Sequence, residues 1–256
     1  MNLDSRKTFC ILASAMACGA AHADSNFNMP DGSHDISVAM TAFDTPRSEG
    51  GRRRQVGLLP SFTGRWANGI FASLGLVGWD VSDDPVLDYG PVVTYDLRQR
   101  RTDDTSNKIG IDVEGGAFAH YLFTSEIDFN AALLYGGGAQ RSGMRLMATA
   151  DFSVRLGPHA ALTFSPGVEL ANASYMKSTF GVTQAQATAD HLAGPYETHP
   201  GAKNVFLNAD VGWQVSNKWS LTGGVNTSYL LGSAARSPLT EKRTNATVYL
   251  SGAYHF

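Results

Sequence analysis

The regular alternation of apolar and polar residues along nearly the whole chain is the feature that most limits its fold. Residues 159–171 read HAALTFSPGVELA, in which every second residue from Ala160 to Leu170 is apolar and most of the residues between them are small or polar. Because successive side chains of a strand point to opposite faces, such a segment has one apolar and one polar surface. The same alternation recurs at 125–135, 145–156 and 205–215. The sequence therefore predicts an all-β protein.

Three properties of these segments favour strands that cross a membrane over the strands of a soluble sandwich. Their lengths are near the roughly 9–11 residues that a tilted transmembrane strand needs. Aromatic residues lie near segment ends, where interfacial girdles form, and the polar faces carry full charges, as the lumen of a barrel does. A closed barrel also satisfies every backbone group, which hydrocarbon requires. The charges predicted to face the lumen are Asp96, Arg98, Asp112, Glu114, Glu126, Asp128, Arg145, Asp151, Arg155, Glu169 and Asp210.

The end of the sequence favours an outer-membrane barrel in particular. Val248, Leu250, Gly252 and Tyr254 alternate with polar or small residues up to Phe256. This pattern resembles the recognition signal that the outer-membrane assembly machinery reads on its substrates, so Val248, Leu250, Tyr254 and Phe256 are the candidate assembly-signal residues. An ordinary periplasmic β-protein is the alternative.

The first residues have the layout of a secretory signal peptide. Arg6 and Lys7 are basic, Phe9–Ala17 is apolar, and Ala21-His22-Ala23 is an A-x-A cleavage motif. The apolar stretch is shorter than the roughly 20 residues of a transmembrane helix. We expect residues 1–23 to be removed between Ala23 and Asp24, leaving 24–256 as the barrel.

The composition of the predicted mature chain excludes several functions. Both cysteines, Cys10 and Cys18, lie in the signal peptide, so cleavage leaves no thiol for disulfides, catalysis or metal binding. Lipid attachment at Cys18 is the alternative, although the preceding residues lack the usual leucine. Loss of the signal changes the formal net charge from −3 to −4, because two basic residues and one acid are lost. A mild negative charge gives no electrostatic reason to expect a nucleic-acid partner.

The strand count depends on how residues 69–82 are interpreted, since their alternation changes phase near Gly75. Two short strands there give twelve, absorption into a neighbour gives ten, and one strand gives the odd number eleven, which single-chain bacterial barrels normally avoid. We prefer an antiparallel up-and-down barrel of twelve strands, with ten as the alternative. The other strands are predicted at 35–44, 54–66, 86–98, 108–122, 125–136, 144–157, 159–172, 203–216, 218–231 and 245–256.

The lengths of the connections predict an orientation. Tight connections near Gly157-Pro158 and Asn217-Lys218 are typical of periplasmic turns, which places the longest connection, at about 172–202, outside the cell. Within it, Thr183 and Gln186 have the spacing of a capping box, which predicts a short helix from residue 184. This loop is interpreted either as a binding surface or as a structural lid.

Clustered arginines near the predicted outer strand ends are candidate contacts for lipopolysaccharide phosphates, since a guanidinium group binds phosphate bidentately. The alternative is that these arginines are loop charges that contact only solvent. The residues are Arg52, Arg53, Arg54, Arg100 and Arg101.

The sequence contains no recognised catalytic motif: G-x-S-x-G, H-E-x-x-H and P-loop patterns are all missing. His191 and His199 do not have the spacing of a recurring metal site. The acidic pairs Asp83-Asp84 and Asp103-Asp104 are interpreted as turn residues. We therefore expect no enzyme activity, no metal and no cofactor.

A series of short motifs runs through the long loop and the last strands. In the loop these are Ser174-Tyr175-Met176, Thr179–Thr183 and Gln186-Ala187. They resemble the hallmark segment of the MipA/OmpV family of outer-membrane proteins, and the likeness continues through the strands that follow. The chain ends Tyr-His-Phe where the family usually has Tyr-Arg-Phe. Further positions that carry the resemblance are Leu58-Leu59-Pro60, Gly90-Pro91, Trp219–Thr222, Tyr229–Gly232, Ala235 and Ser237-Pro238.

The resemblance implies an outer-membrane location and a scaffold or binding role in envelope and murein maintenance. The implied partners are a lytic murein transglycosylase and a penicillin-binding murein synthase, beside outer-membrane lipid, lipopolysaccharide and the barrel-assembly machinery. The family offers no catalytic residues to compare. Two other functions stay open: a narrow charge-selective diffusion channel and an outer-membrane hydrolase.

Overall fold

The computed structural model describes residues 29–30, 32–99, 109–137, 142–189 and 191–256; of 96–99, 109–112 and Ala189 it describes only the backbone. These residues form a closed barrel of twelve strands in which each strand pairs antiparallel with its sequence neighbours and the first strand pairs with the last. The preferred prediction of a twelve-stranded up-and-down barrel is therefore confirmed. The predicted signal peptide at 1–23, both cysteines, Arg100, Arg101 and the Asp103-Asp104 pair lie outside the described residues.

The strands differ mainly in length, and the two shortest have four residues each. Their bounds are β1 His34–Pro46, β2 Arg54–Trp66, β3 Ile70–Ser73, β4 Leu76–Trp79, β5 Leu87–Gln99, β6 Ile109–Thr124, β7 Ile127–Gly137, β8 Ser142–Arg155, β9 Ala160–Ala171, β10 Gly201–Gln214, β11 Trp219–Leu230 and β12 Thr244–His255. Three short helices lie in the connections: α1 Ala173–Phe180, α2 Gln184–Ala189 and α3 Gly232–Arg236.

The barrel has an apolar outside and a polar inside, the reverse of a soluble protein. Leu58, Val211 and Leu250 are exposed on the outer face, whereas Thr41 and Ser165 are fully buried in the interior. Hydroxyl groups bridge neighbouring strands across the lumen wall, as between Thr45 and Thr247 at 2.6 Å. Since bulk lipid cannot satisfy polar groups, this distribution fits an outer surface in contact with hydrocarbon. No helix among the described residues is long and apolar enough to span a membrane.

The ambiguous segment at 69–82 is a hairpin of two short strands, β3 and β4. The chain reverses at Leu74-Gly75, and Gly75 has a φ of 87°, which glycine adopts without strain. The reversal explains the change of phase, because residues on either side of the turn belong to different strands. The hairpin pairs with β2 only at Thr63, Gly64 and Arg65 and with β5 only at 92–94.

The two ends of the barrel differ in the size of their connections. One end carries the connections at 172–200 and 231–243, which contain all three helices, and the other carries short turns such as 125–126, 156–159 and 215–218. The predicted capping box is confirmed: Thr183 N donates to Gln186 Oε1 at 2.9 Å and Gln186 N donates to Thr183 Oγ1 at 3.3 Å. That the long-loop end faces outward stays a prediction.

Candidate functional site: the long-loop end of the lumen

Helix α1 is fixed onto the top of β8 by its N-cap. The Asn172 side chain accepts hydrogen bonds from Tyr175 N at 2.9 Å and from Met144 N at 3.1 Å, so one carboxamide oxygen caps the helix and ties it to the strand. Gly143 allows this close approach, because a Cβ there would lie 2.4 Å from Tyr175 N and its φ of 134° is strained for other residues.

The loop helices pack together at the ends of β8 and β10 through a small apolar cluster. Tyr175, Met176 and Phe180 of α1 pack against Leu230 and Ala234, and all five are almost completely buried. Ser237 Oγ also donates to Phe180 O at 2.7 Å, which joins the connection after β11 to the connection after β9. We call this packed unit, residues 172–180 with 230–237, the cap.

Beneath the cap lies a chain of buried charges. Arg145 Nη2 is 2.7 Å from Glu114 Oε2, and Arg145 Nη1 is 3.3 Å from Glu169 Oε1. Lys203 Nζ is 2.7 Å from Glu169 Oε2 and 3.1 Å from Glu49 Oε1. Residues of β6, β8, β9 and β10 are thereby joined to the β1–β2 connection. We call these five residues the buried ion network.

The network and the cap touch each other. Lys203 Nζ lies 5.5 Å from the centre of the Tyr175 ring, a cation–π distance. Burial raises the pKa of the Tyr175 phenol above its ordinary value, because the phenolate would lose its hydration. Asn204 Nδ2 adds a hydrogen bond to Glu169 Oε2 at 3.1 Å. Charged groups this deeply buried persist only when paired and hydrogen-bonded, and these are both.

Further from the cap, the lumen carries a second polar cluster. His120 Nδ1 is 3.1 Å from Asp88 Oδ2, and Asn130 Nδ2 donates to Asp128 Oδ1 at 2.9 Å and to Asp151 Oδ2 at 3.0 Å. These side chains from β5, β6, β7 and β8 bridge neighbouring strands inside the barrel.

Of the eight predicted lumen charges whose side chains the structure describes, five are buried in the barrel, Asp210 is half-buried, and Glu126 and Arg155 are exposed. Glu114, Asp128, Arg145, Asp151 and Glu169 are buried inside the barrel. Glu126 was wrongly predicted, because it lies exposed in the two-residue turn between β6 and β7 rather than in a strand. The side chains of Asp96, Arg98 and Asp112 are outside the described part of the chain.

Lys203, Asn204 and Glu49 were missed by the sequence analysis. Alternation places Lys203 on the outer face with Val205, yet both Lys203 and Asn204 are buried. The register between β9 and β10 shifts between Ala202 and Asn204, and such a bulge lets two consecutive side chains point inward. The signal available in the sequence was the pair of consecutive polar residues, Lys203 and Asn204, immediately before the alternation that begins at Val205.

The candidate assembly-signal residues lie on the outer face of β12. Val248 and Leu250 are more than half exposed, and Phe256 is 75% exposed. Tyr254 stacks edge-on between Trp219 and Phe256, at ring distances of 5.2 and 5.1 Å. Whether these residues serve as the signal stays a prediction.

Two of the candidate lipopolysaccharide contacts meet in one cavity. Arg52 and Arg54 line a cavity of about 380 Å³ together with Lys242. Arg54 Nε is 2.9 Å from Asp44 Oδ1, so part of its charge is balanced. Arg53 is exposed next to this cavity in sequence, and its carbonyl accepts a hydrogen bond from Arg47 N at 2.8 Å.

The structure brings together one pair of side chains with catalytic chemistry that the sequence analysis did not mention. Ser220 Oγ and His255 Nε2 are 2.9 Å apart near the short-turn end, without a carboxylate on His255 in the described chain. Asp84 Oδ1 accepts from Val86 N at 2.9 Å, as a turn acid does. Within the described ranges no group of three or more His, Cys, Asp or Glu residues could hold a metal ion.

Comparison with known proteins identifies the family of the chain. A family model described as "MltA-interacting protein MipA" matches residues 38–256. No curated protein matches the chain.

Several solved outer-membrane proteins are similar over most of their length but at low identity. The COG4313 outer membrane channel from Pseudomonas putida F1 is 10% identical over 92% of this chain and 98% of its own, with a TM-score of 0.47. The CymD monoaromatic hydrocarbon channel is 10% identical over 97% and 94%, with a TM-score of 0.46. The KdgM porin in complex with disordered oligogalacturonate is 9% identical over 86% and 99%, with a TM-score of 0.44. The family match covers nearly all of the barrel, and the chain is an outer-membrane β-barrel that belongs to the MipA family.

Proposed function

We propose that this barrel is a non-enzymatic scaffold in envelope and murein maintenance, which binds a lytic murein transglycosylase and through it a penicillin-binding synthase. The family description, MltA-interacting protein, supports the first partner. The observation that carries the scaffold role is the packed long-loop end, where the cap contacts the buried ion network.

The cap has a physical consequence for its own sector of the barrel. A solute that passed beneath the cap would have to separate Tyr175 and Met176 from Leu230 and then break the contacts of Arg145 and Lys203. Both steps are costly, because one exposes buried apolar surface and the other leaves buried charges without partners. A long-loop end packed in this way is suited to presenting a fixed shape to a partner.

The direct test is a pull-down with the refolded mature barrel and the soluble domain of a murein transglycosylase. We expect retention of the transglycosylase, and of a penicillin-binding protein only when the transglycosylase is present. A barrel unfolded by heat is the control for non-specific binding. Failure to retain any murein enzyme, also after crosslinking in cells, would refute the scaffold proposal.

The second candidate is a narrow charge-selective channel, favoured by the polar lumen wall around Asp88, His120 and Asp151. Planar-bilayer recordings separate the two functions. The scaffold predicts no steady single-channel steps from the unmodified barrel, whereas the channel predicts steps whose ion selectivity follows the lumen charges.

The Ser220–His255 pair is the observation that favours a hydrolase as a third candidate. Assays of the refolded barrel with ester and peptide substrates test this third function. We expect no turnover, and turnover abolished by Ser220→Ala would establish the enzyme.

A further inference from the structure

The cavity lined by Arg52, Arg54 and Lys242 lies at the outer rim of the barrel wall. Arg54 belongs to the same face of β2 as Val56, which is 77% exposed on the outer surface. The partner of Arg54 across the sheet is Pro46 of β1, which also lines the cavity. The other lining residues come from the β1–β2 connection and from the region where β12 begins. The cavity therefore borders β12, β1 and β2 at their long-loop ends.

The two connections that supply the cations are tied to each other and to the barrel. Lys242 N donates to Gly50 O at 2.8 Å, and Gly50 N donates to the side chain of Asn245 at 2.9 Å. On the inner side, Glu49 of the same connection pairs with Lys203 at 3.1 Å. The backbone that presents the cations is thus fixed before any ligand arrives, which lowers the entropy lost on binding.

The charges that line the cavity are only partly balanced. The Arg54 guanidinium donates to Asp44 Oδ1 at 2.9 Å, to Asp44 O at 3.1 Å and to Ala246 O at 3.0 Å, which fixes its position. Arg52 and Lys242 are exposed, and their side chains make no ion pair within the ranges that the structure describes. Two such cations beside a fixed guanidinium form a site for a phosphate group, which accepts charge-assisted hydrogen bonds.

The surrounding rim has an excess of positive charge. Basic residues outnumber acidic ones in residues 44–54 and 240–244, and two of the acids already have partners, Asp44 in Arg54 and Glu49 in Lys203. The charged residues of these two ranges are Arg47, Arg52, Arg53, Arg54, Lys242 and Arg243 against Asp44, Glu49 and Glu241. An anion is therefore attracted to this sector of the rim as well as to the cavity itself.

On the membrane side of the cavity, the outer face of β1 forms a shallow apolar trough. Ala42 lies between Leu58 of β2 and Leu250 of β12 in the sheet, and these leucines are 66% and 58% exposed. Because alanine carries only a methyl group, the longer side chains on both sides rise above it. One row nearer the rim, Val56 and Val248 form the sides in the same way. The flanking strands lie about 10 Å apart, twice the spacing of neighbouring strands.

We propose that the cavity and the trough together bind one molecule of lipopolysaccharide, and we call the two the rim site. A phosphate group lies between Arg52 and Lys242 and also accepts from N–H groups of Arg54 that its bonds to the strands leave unused. One acyl chain lies in the trough over Ala42. A phosphate monoester carries about −1.5 to −2 charges at pH 7, which matches two cations, whereas the phosphodiester of a phospholipid carries a single negative charge.

The rim site lies outside the cap, and the proposal goes beyond the scaffold function. The lipid is lipopolysaccharide because the long-loop end is the predicted outer end of the barrel. The match of a cationic cavity with an apolar trough directly beside it favours a lipid with a phosphorylated head over a second copy of the chain, which would bring no phosphate.

The first test measures lipid retained by the refolded mature barrel in native mass spectrometry, with hexa-acylated diphosphoryl lipid A as the probe. We expect one lipid per barrel, and about tenfold weaker retention in R52Q/K242Q, because two charge-assisted contacts to phosphate are lost. The matched control is K177Q/R236Q, which removes the same charge from exposed positions at the same end of the barrel but outside the cavity. It should retain lipid A as the unmodified barrel does.

A second pair of variants tests the trough. A42F fills the trough with a ring without making the surface less apolar, and we expect it to lose retained lipid A. A209F is the matched control, since Ala209 lies on the outer face of β10 between Phe164 and Val225. Retention in A209F should equal that of the unmodified barrel. Because all of these positions lie on the surface, every variant should refold, which its heat-modifiable migration on a gel checks.

Three outcomes would overturn the proposal. Equal losses in R52Q/K242Q and K177Q/R236Q would mean that retention follows net charge alone. Equal retention of lipid A without phosphates, or of phosphatidylglycerol, would remove the lipopolysaccharide assignment. Equal retention in A42F and A209F would mean that no acyl chain lies in the trough.

Discussion

Replacement of Arg145 by Met tests whether the buried ion network holds the long-loop end together. Methionine keeps an unbranched apolar stem but removes the guanidinium that lies 2.7 Å from Glu114 and 3.3 Å from Glu169. Lys203 still pairs with Glu169 at 2.7 Å, whereas Glu114 loses a guanidinium that contacts both of its carboxylate oxygens.

The magnitude follows from the burial of the pair. Two unit charges about 4 Å apart attract by roughly 4 kcal/mol at an effective dielectric constant of about 20. Removal of one member of a buried pair costs about 3–5 kcal/mol, because the other charge is left in a poorly hydrated place. Since the side chains of Arg145 and Glu114 are only 6% and 1% exposed, solvent offers little compensation. We expect Arg145→Met to lower the free energy of unfolding by about 3–5 kcal/mol.

A double-mutant cycle separates this cost from the net value of the pair. Arg145→Met with Glu114→Gln removes both charges, and we expect it to be more stable than Arg145→Met alone by about 2 kcal/mol, since no carboxylate then lacks its guanidinium. The free energies come from reversible urea unfolding of the barrel in vesicles, followed by tryptophan fluorescence. Arg155→Met is the matched control on the same strand, where the side chain is exposed and the change should stay within about 0.5 kcal/mol.

Two results would refute this reasoning. A loss below about 1 kcal/mol in Arg145→Met would mean that water or a local rearrangement replaces the guanidinium. A double variant as unstable as the sum of the two single variants would mean that Arg145 and Glu114 act independently.

Three further predictions concern the cap, its loop and the last strand. Thr183→Ala removes the hydroxyl that accepts a hydrogen bond at the N-terminus of α2, and we expect it to destabilise that helix by about 1 kcal/mol. Amide hydrogen exchange at Gln186 and Ala187 should become faster, whereas the free energy of unfolding of the whole barrel should not change. Phe256→Ala removes a ring that is 75% exposed, so we expect lower outer-membrane levels in cells but nearly normal refolding in vitro; equal yields in cells would argue against the assembly signal. Burial raises the pKa of Tyr175 in the folded protein, so folding favours the neutral phenol. The stability that this contributes is fully present below the pKa that Tyr175 has in the unfolded chain. It is lost as the pH rises through the pKa that Tyr175 has in the folded protein. In an alkaline titration followed by tyrosinate absorbance, the last of the nine tyrosines to ionise should disappear in Tyr175→Phe, and an unchanged titration would contradict its burial.

Alternation was sufficient to predict the barrel wall because a single rule governs every strand. A side chain faces either lipid or lumen, so a period of two in hydropathy gives both the strands and the faces that they present. The hairpin of β3 and β4 was harder, since each strand has only four residues and alternation that short is barely distinguishable from chance. Gly75 supplied the missing information, because a reversal of the chain there accounts for the change of phase.

The site was predicted less well than the wall, and the reason is non-local contact. The charges of Glu114, Arg145 and Glu169 could be assigned to the lumen from their own strands, but their pairing depends on which strands become neighbours and in which register. Glu49 comes from a connection and Lys203 from the position of a bulge, neither of which follows the period of two. The distance over which β3 extends along β2 is likewise revealed only by the register.

The buried charges also explain how one chain specifies a single closed arrangement. A slip of one residue between neighbouring strands would exchange the two faces, moving Arg145 or Glu169 into lipid and Leu146 or Leu170 into the lumen. An arginine or lysine on the lipid face costs about 2–4 kcal/mol at the membrane midplane, so each lumen charge penalises the slipped register. The buried ion network also stabilises the native register, because its short contacts form only when β6, β8, β9 and β10 are all in that register. Charges that contribute little net stability as pairs therefore favour one register of the strands, and their convergence under the cap applies this preference to four strands at the long-loop end.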